Sequence, residues 1–477
     1  MKAIKYLIAG ALIMGLSAPA MAQEVNYKDM LKPIETTLKS GNSATKEFEK
    51  EIKEYQKEFK KDPKALIALG NILAMHKAYD KANLVADAVI AKFKNYGDAY
   101  ILKGDIYTMQ DNGGEAATWY NQCMTMDPKN PQGYISYARV YQKIDPNGSA
   151  EALQKLKEIN PDYPVEAENG HTFYSNGNYE KAYENFSKAN HATMEEYIFY
   201  EYCFTTYVLN KKEESLSLCQ EGMKKYPKDT AFLILGMRAA VDTQKYDEAL
   251  QYANTIMSDN NIKKNSSIYS YYGLALKGNK QYNEAIAQYQ KALEMKAEDP
   301  KPLLYISETY MEMGDEDKAL EYNQQYMDKN PDAAPTDFVK LATIYINKAK
   351  KAAENKDAAK KVENIVKAID VYAKLAEKYP TLKAYAKLQE GNTAFQNELD
   401  DKAIPAYQEV ITELETKQCD ADEIDYLKKA YQNMGYIYNY GKQDFELAKP
   451  YWEKLLKLDP DNKLAKDAIE KGLKASE

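Results

Sequence analysis

Tyr269–Ala292 reads YSYYGLALKGNKQYNEAIAQYQKA. It has two halves with a turn between them. The first carries Tyr269, Tyr272-Gly273 and Leu276, and the second Tyr282-Asn283-Glu284-Ala285, Tyr289 and Ala292. Three- and four-residue steps between these positions set one face of a helix in each half. Gly273 in the first helix and Ala285 in the second let the two pack closely, while the aromatics fill the wider gaps. One such pair cannot bury its apolar face alone, so the stretch predicts stacked neighbours of the same kind.

Those neighbours are present. Leu66, Leu69-Gly70, Leu73 and Ala82 form one copy; Tyr100, Gly104, Tyr107, Ala116, Tyr120, Cys123 and Pro128 form the next. Further copies centre on Tyr134, Ala138 and Leu153; on Gly170, Ala182 and Phe186; on Phe199, Cys203 and Ser215; and on Leu235-Gly236 and Ala249. Beyond the quoted stretch come Ser307 with Ala319, Ala342 with Ala368 and Tyr372, Gly391 with Ala403 and Tyr407, and Gly435 with Ala448 and Trp452. Proline near the end of many second helices, as at Pro161, Pro227, Pro331, Pro380 and Pro460, stops the helix.

Gly70 and Gly104 are 34 residues apart, the period of the tetratricopeptide repeat. The chain resembles that family over nearly all of its length after the N-terminal leader, as an exported bacterial member. The resemblance implies an all-α, right-handed α-solenoid of about eleven helix-turn-helix repeats with helical caps. Residues 23–62 are expected to form an N-terminal helical cap, 63–332 about eight repeats, 333–461 about three, and 462–477 a C-terminal capping helix. Tyr345 and Ala368 are 23 residues apart, well beyond the usual interval. The extra residues, with Lys348, Lys350, Lys351, Lys356, Lys360 and Lys361 among alanines, predict a helix pair about two turns longer on each side. A second addition, Gln418 to Asp425, reads as an acidic loop.

Lys2 and Lys5, the apolar run Tyr6 to Leu16, and Ala20-Met21-Ala22 make a leader with a cleavage site before Gln23. The reading is export of a soluble mature chain, periplasmic or extracellular, with residues 1–22 removed and no membrane-spanning segment. The net charge of −8 disfavours nucleic acid as a partner.

Catalytic groups are scarce. There is no H-E-x-x-H, G-x-S-x-G, P-loop or G-x-G-x-x-G pattern. His76, His171 and His191 share no metal-ligand spacing with one another or with cysteine. No enzymatic activity, cofactor or metal is expected.

Binding has more to recommend it. In the family the first helices line a concave groove that accepts peptides. One branch clamps a terminal carboxylate with Lys, Asn and Arg. Asn71 and Asn392 match its first asparagine, but Ile67, Leu388 and Leu102 replace polar clamp positions, and Gln132 and Ser136 replace its basic pair. A different partner is therefore expected.

Tyr197, Tyr200, Phe204 and Tyr207 share one helix face, opposite Phe199, Tyr202, Cys203 and Thr206. With Arg139, His171, Tyr174, Tyr271 and Tyr305 they form the predicted partner-binding groove, rich in residue types that dominate binding hot spots. Cys203 and Cys219 fall at similar heights in one hairpin and are a candidate disulfide. The resulting function is a non-enzymatic scaffold or adaptor in the cell envelope that holds a peptide or partner protein. An exported glycan- or nutrient-binding protein that stacks ligand on groove tyrosines is the alternative.

Overall fold

The computed structural model describes residues 26–476, and every element in them is helical. The leader read at residues 1–22 lies outside the described residues. Two helices, α1 (Tyr27–Lys39) and α2 (Lys46–Glu58), precede eleven pairs. These are α3 (Pro63–Met75) with α4 (Tyr79–Lys92), α5 (Gly97–Met109) with α6 (Gly113–Met126), α7 (Pro131–Tyr141) with α8 (Pro146–Ile159), and α9 (Val165–Ser175) with α10 (Tyr179–Phe186). Then come α11 (Glu196–Val208) with α12 (Lys212–Lys225), α13 (Thr230–Asp242) with α14 (Tyr246–Ser258), α15 (Ser266–Gly278) with α16 (Tyr282–Met295), and α17 (Lys301–Met313) with α18 (Glu316–Lys329). The last pairs are α19 (Pro335–Glu354) with α20 (Ala358–Lys378), α21 (Lys383–Phe395) with α22 (Asp400–Leu414), and α23 (Ala421–Tyr436) with α24 (Phe445–Leu458); α25 (Lys463–Ser476) follows. No helix among the described residues is long and apolar enough to cross a membrane.

The chain divides into two compact units, Met1–Ser215 and Leu216–Glu477. In the first unit, Tyr55, Leu69, Leu73, Val85 and Val89 are buried in one cluster under α1–α5. In the second unit, Tyr407, Val410, Met434 and Trp452 centre a cluster that extends to Ala465 and Ala468 of α25.

Each pair is built by the same local rules. Side chains cap many of the helix starts, as when Asp62 accepts from the Ala65 amide (3.1 Å) and Asn462 from that of Ala465 (3.1 Å). Every pair except α7–α8 turns through a residue with positive φ, such as Lys77 (62°), Gly177 (73°), Lys280 (60°) or Gly314 (74°). That residue lets the last carbonyls of the first helix find amide partners.

The small residue of the first helix then receives a ring from the second. A Cβ placed on Gly104, Gly170 or Gly273 would overlap the ring of Tyr120, Phe186 or Tyr289. On Gly391 and Gly435 it would come 2.7 Å from Tyr407 and Trp452. Glycine is needed because only its absence of a side chain lets the ring lie on the backbone.

Two features of the second unit test the sequence reading. The lengthened pair is present: α19 has 20 residues and α20 has 21, against 13 and 14 in α17 and α18. Its added turns are packed. Ala349 and Ile365 are buried in one cluster with Leu388 and Ala394 of α21. On the other side Lys348 pairs with Asp317, and Lys351 with Glu316 (2.8 Å).

The acidic loop expected at Gln418–Asp425 is corrected. Residues from Ala421 onward are the first turn of α23. Asp420 and Glu423 cap each other's backbone amides reciprocally (2.9 and 3.1 Å). The acidic run that suggested a loop is the charge a helix N-terminus favours.

Candidate functional site

In the first unit the first helices α7, α9 and α11 bring together most of the residues singled out in the sequence. Arg139 is exposed on α7; His171 and Tyr174 are half-buried on α9; Tyr197 is 47 % exposed on α11, with Tyr200, Phe204 and Tyr207 half-buried beside it. The rings meet across the helices in two groups. His171 meets Tyr197 edge-on at 5.4 Å, and Tyr174 meets Phe204 edge-on at 6.2 Å. Phe204 stacks on Tyr200 along α11 at 6.5 Å. These side chains neither enter the core nor stand fully in water; His171 and Tyr197 form one aromatic group, and Tyr174, Phe204 and Tyr200 a second on the same two helices.

Charged groups that the sequence reading passed over hold this face. His171 Nδ1 donates to Glu201 Oε2 at 2.7 Å. Burial works against the imidazolium, but Glu201, with Glu168 and Glu195 beyond it, more than offsets that, and the His171 pKa is raised. The Glu168 carboxyl is also raised: burial leads, Arg139 and His171 pull it down, and Glu195 and Glu201 push it up. Tyr163, in the loop before α9, hydrogen-bonds Arg139; burial is the main cause that pushes its hydroxyl up to about 12. The helical spacing could have found Glu201, since it lies four residues after Tyr197 and three before Phe204. Tyr163 is in a loop with no periodicity to flag it.

Tyr207 is at the edge of the face, where Lys212 lies over its ring at 3.3 Å and donates to its carbonyl oxygen (2.8 Å). Tyr271 and Tyr305 belong to the second unit. Arg238 stands over the Tyr271 ring at 5.5 Å and donates to Ser267 (3.2 Å); Tyr305 lies 5.4 Å from Tyr289. They form a patch of their own there.

The carboxylate clamp is absent in physical terms. Ile67, Leu102 and Leu388 are core residues. Asn392 accepts from the Tyr407 hydroxyl (2.9 Å) and from Asn433 (3.2 Å), so its amide is engaged within the fold.

The expected Cys203–Cys219 bridge is also corrected: both residues are buried and remain thiols. Cys203 fills the small-residue place of α11, and Cys219 the place in α12 where other repeats carry a ring. The Cys203 carbonyl accepts from the Ser215 hydroxyl (2.9 Å). The Cys219 Cβ is directed at Gly236 of α13, 3.4 Å from where a Cβ on that glycine would stand.

Tetratricopeptide repeat family models match residues 97–130 and 428–462, residues 235–301, and residues 276–336. A photosystem I assembly protein Ycf3 from Rippkaea orientalis is 32 % identical over 124 residues, covering 24 % of this chain and 70 % of its own. The chain belongs to the tetratricopeptide repeat family. Another relative of this repeat protein, the photosystem I assembly protein Ycf3 of Prochlorococcus marinus subsp. pastoris, is 28 % identical over 150 residues, 29 % of this chain and 86 % of its own. Among solved structures, the C-terminal part of a repeat-containing protein from Cytophaga hutchinsonii covers 57 % of this chain and 99 % of its own, at 23 % identity and a TM-score of 0.45. MamA AMB-1 covers 34 % and 95 %, at 19 % identity and a TM-score of 0.30.

Proposed function

We propose that this tetratricopeptide repeat protein is a non-enzymatic scaffold or adaptor of the cell envelope that holds a partner protein on the first-helix face of α7, α9 and α11. The observation that carries the reading is the two groups of ring contacts that α9 and α11 build at half-exposed positions, His171 with Tyr197, and Tyr174 with Phe204 and Tyr200. Tyrosine offers a large apolar face with a polar tip at modest entropic cost, and it is a frequent anchor of interfaces. Arg139 and the Glu168–Glu201 carboxylates flank the rings, so the face can match a partner in charge as well as in shape. Relatives named as assembly proteins support a role in holding other proteins. Delivery to the envelope is part of the proposal and rests on the leader pattern read in the sequence of residues 1–22.

The test is capture from an envelope extract by the mature chain, run beside a glycan array. Tyr197→Ala, Tyr200→Ala and Phe204→Ala together should abolish capture. Retained capture by a folded triple variant, or binding on the array alone, would sink the reading. N-terminal sequencing of the native protein checks export, with Gln23 as the expected first residue.

A further inference from the structure

Nine of the repeats have an alanine in the second helix and can be compared four residues after it. There α6, α10, α16, α20, α22 and α24 carry Tyr120, Phe186, Tyr289, Tyr372, Tyr407 and Trp452, all buried. α4 and α14 carry Ala86 and Ala253 at that position, and other side chains reach their facing glycines, Leu102 at Gly70 and Cys219 with Met223 at Gly236. In α18 the same position, four after Ala319, is Asn323. Its facing small residue is Ser307, whose hydroxyl donates to the Ala319 carbonyl at 2.7 Å. The repeat therefore has the small residue that makes room for a ring, and no ring.

The space is open. A cavity of about 360 Å³ lies between α17 and α19, with Ser307 and Asn323 lining its base. Its walls are apolar, from Leu304, Met311, Val339 and Ile344. Asn323 is 1 % exposed, and its Oδ1 accepts no hydrogen bond. A buried amide oxygen without a partner is costly to keep, which points to an acceptor waiting for a donor. Glu308 stands at the rim, held by Lys340 at 2.7 Å and Lys277 at 3.3 Å.

We infer that this cavity receives a tyrosine side chain of a partner protein, which supplies in trans the ring that the α17–α18 repeat lacks. The other repeats show what such a ring does. The Tyr120 hydroxyl donates to Asp105 and the Tyr407 hydroxyl to Asn392, each the residue that follows the small residue of the first helix. Glu308 occupies that same place after Ser307. A phenol thus meets apolar walls along its ring and acceptors, Asn323 and Glu308, for its hydroxyl.

Other occupants fit less well. A phenylalanine leaves Asn323 unpaired. A carboxylate meets Glu308 and Glu312, and an ammonium meets Lys277 and Lys340. The volume is at the lower end of the roughly 300–1,000 Å³ usual for ligand pockets, room for one side chain and not for a helix. The inference rests on the reading of the chain as one that holds a partner, but it uses a different surface from the α11 face.

The experiment uses the full mature chain and three probes: N-acetyl-tyrosinamide, N-acetyl-phenylalaninamide and N-acetyl-leucinamide, titrated by ligand-observed NMR. The tyrosine probe should bind at least about tenfold more tightly than the leucine probe, with phenylalanine between them. Asn323→Tyr should refill the cavity from within, as in the ring-bearing repeats, and abolish binding of the tyrosine probe with an unchanged or higher melting temperature. If that variant misfolds, Met311→Trp narrows the wall from a half-buried position and should have the same effect. Equal binding of the leucine probe, or undiminished tyrosine binding in a folded Asn323→Tyr chain, overturns the inference. The readout needs no partner, so loss of capture by the α11 variants and loss of probe binding here fail independently.

Discussion

The phenol ring of Tyr120 lies against the Cα of Gly104, and its hydroxyl donates at 2.7 Å to Asp105, the next residue of the same helix. Gly104→Ala sets two effects against each other. Alanine in a helix interior gains about 1 kcal/mol over glycine, but the added Cβ would overlap the ring, and overpacking costs about 1–3 kcal/mol. The clash should win, with a net loss of about 1–2 kcal/mol in urea unfolding. Gly114→Ala is the control. A Cβ there meets nothing within 4 Å, so the same substitution should stabilise by about 0.5–1 kcal/mol.

Asp105 carries the next prediction. Burial raises its carboxyl to about 6, against the lowering pull of the Tyr120 hydroxyl. The folded pKa lies above the unfolded one, so the folded state favours the protonated form. Stability should therefore fall as pH rises from about 4 through 6 and stay low above it. Asp105→Asn removes the buried charge and keeps an acceptor for Tyr120, as Asn392 does for Tyr407. The variant should gain on the order of 1–3 kcal/mol at pH 7.5 and nothing at pH 4. A gain of the same size at both values would refute the electrostatic cause.

His171 makes a sharper probe, because the chain has only three histidines and their signals can be assigned by substitution. Burial opposes its charge and the Glu201 carboxylate favours it, with a net rise in pKa. Its ion pair adds stability that is fully present below the unfolded pKa and is lost as pH rises through the folded one. Titration by proton NMR should place the His171 midpoint above an ordinary histidine. Glu201→Gln should lower that midpoint, and a value unmoved by the substitution would remove Glu201 from the argument.

Much of the fold was legible because its rules are local. Gly104 with Tyr120, and Gly273 with Tyr289, are read from spacing alone, and the structure brings each pair into contact. The α11 stripe was legible for the same reason, since Tyr197, Tyr200 and Phe204 must share a face at their spacing. What periodicity does not encode is what lies between elements. Tyr163 reaches the face from a loop, and the Asp420–Glu423 cap turned an apparent acidic loop into a helix start. Helical spacing also places Cys203 and Cys219 at similar heights without saying which neighbour each faces. The empty place at Asn323 is visible only once the cavity beside it is seen.

The lysine-rich turns of α19 and α20 give the last prediction. A run of lysines suits an acidic partner, yet Lys348 is held by Asp317, and Lys351 donates to Glu316 and to the Gly314 carbonyl (3.0 Å). The Lys348 hydrogen bond, then its charge, lowers the Asp317 carboxyl. That contribution to stability is present above the unfolded carboxylate pKa and is lost as pH falls through the lowered folded one. Two lysines of the run thus tie the lengthened pair to the preceding repeat, while Lys350 and Lys356 sit exposed on its outer side. Lys348→Glu should cost about 0.5–1 kcal/mol at low ionic strength, and less in 0.5 M salt, because the partner carboxylate is largely exposed and screened. Lys350→Glu with Lys356→Glu should leave the melt nearly unchanged. If this second pair of reversals also leaves capture from the extract intact, the run serves the fold; if it abolishes capture while the melt holds, the outer lysines are a contact for an acidic partner. A Lys348→Glu melt that is insensitive to salt would show that the ion pair with Asp317 contributes nothing and that packing of Ala349 and Ile365 alone holds the extension.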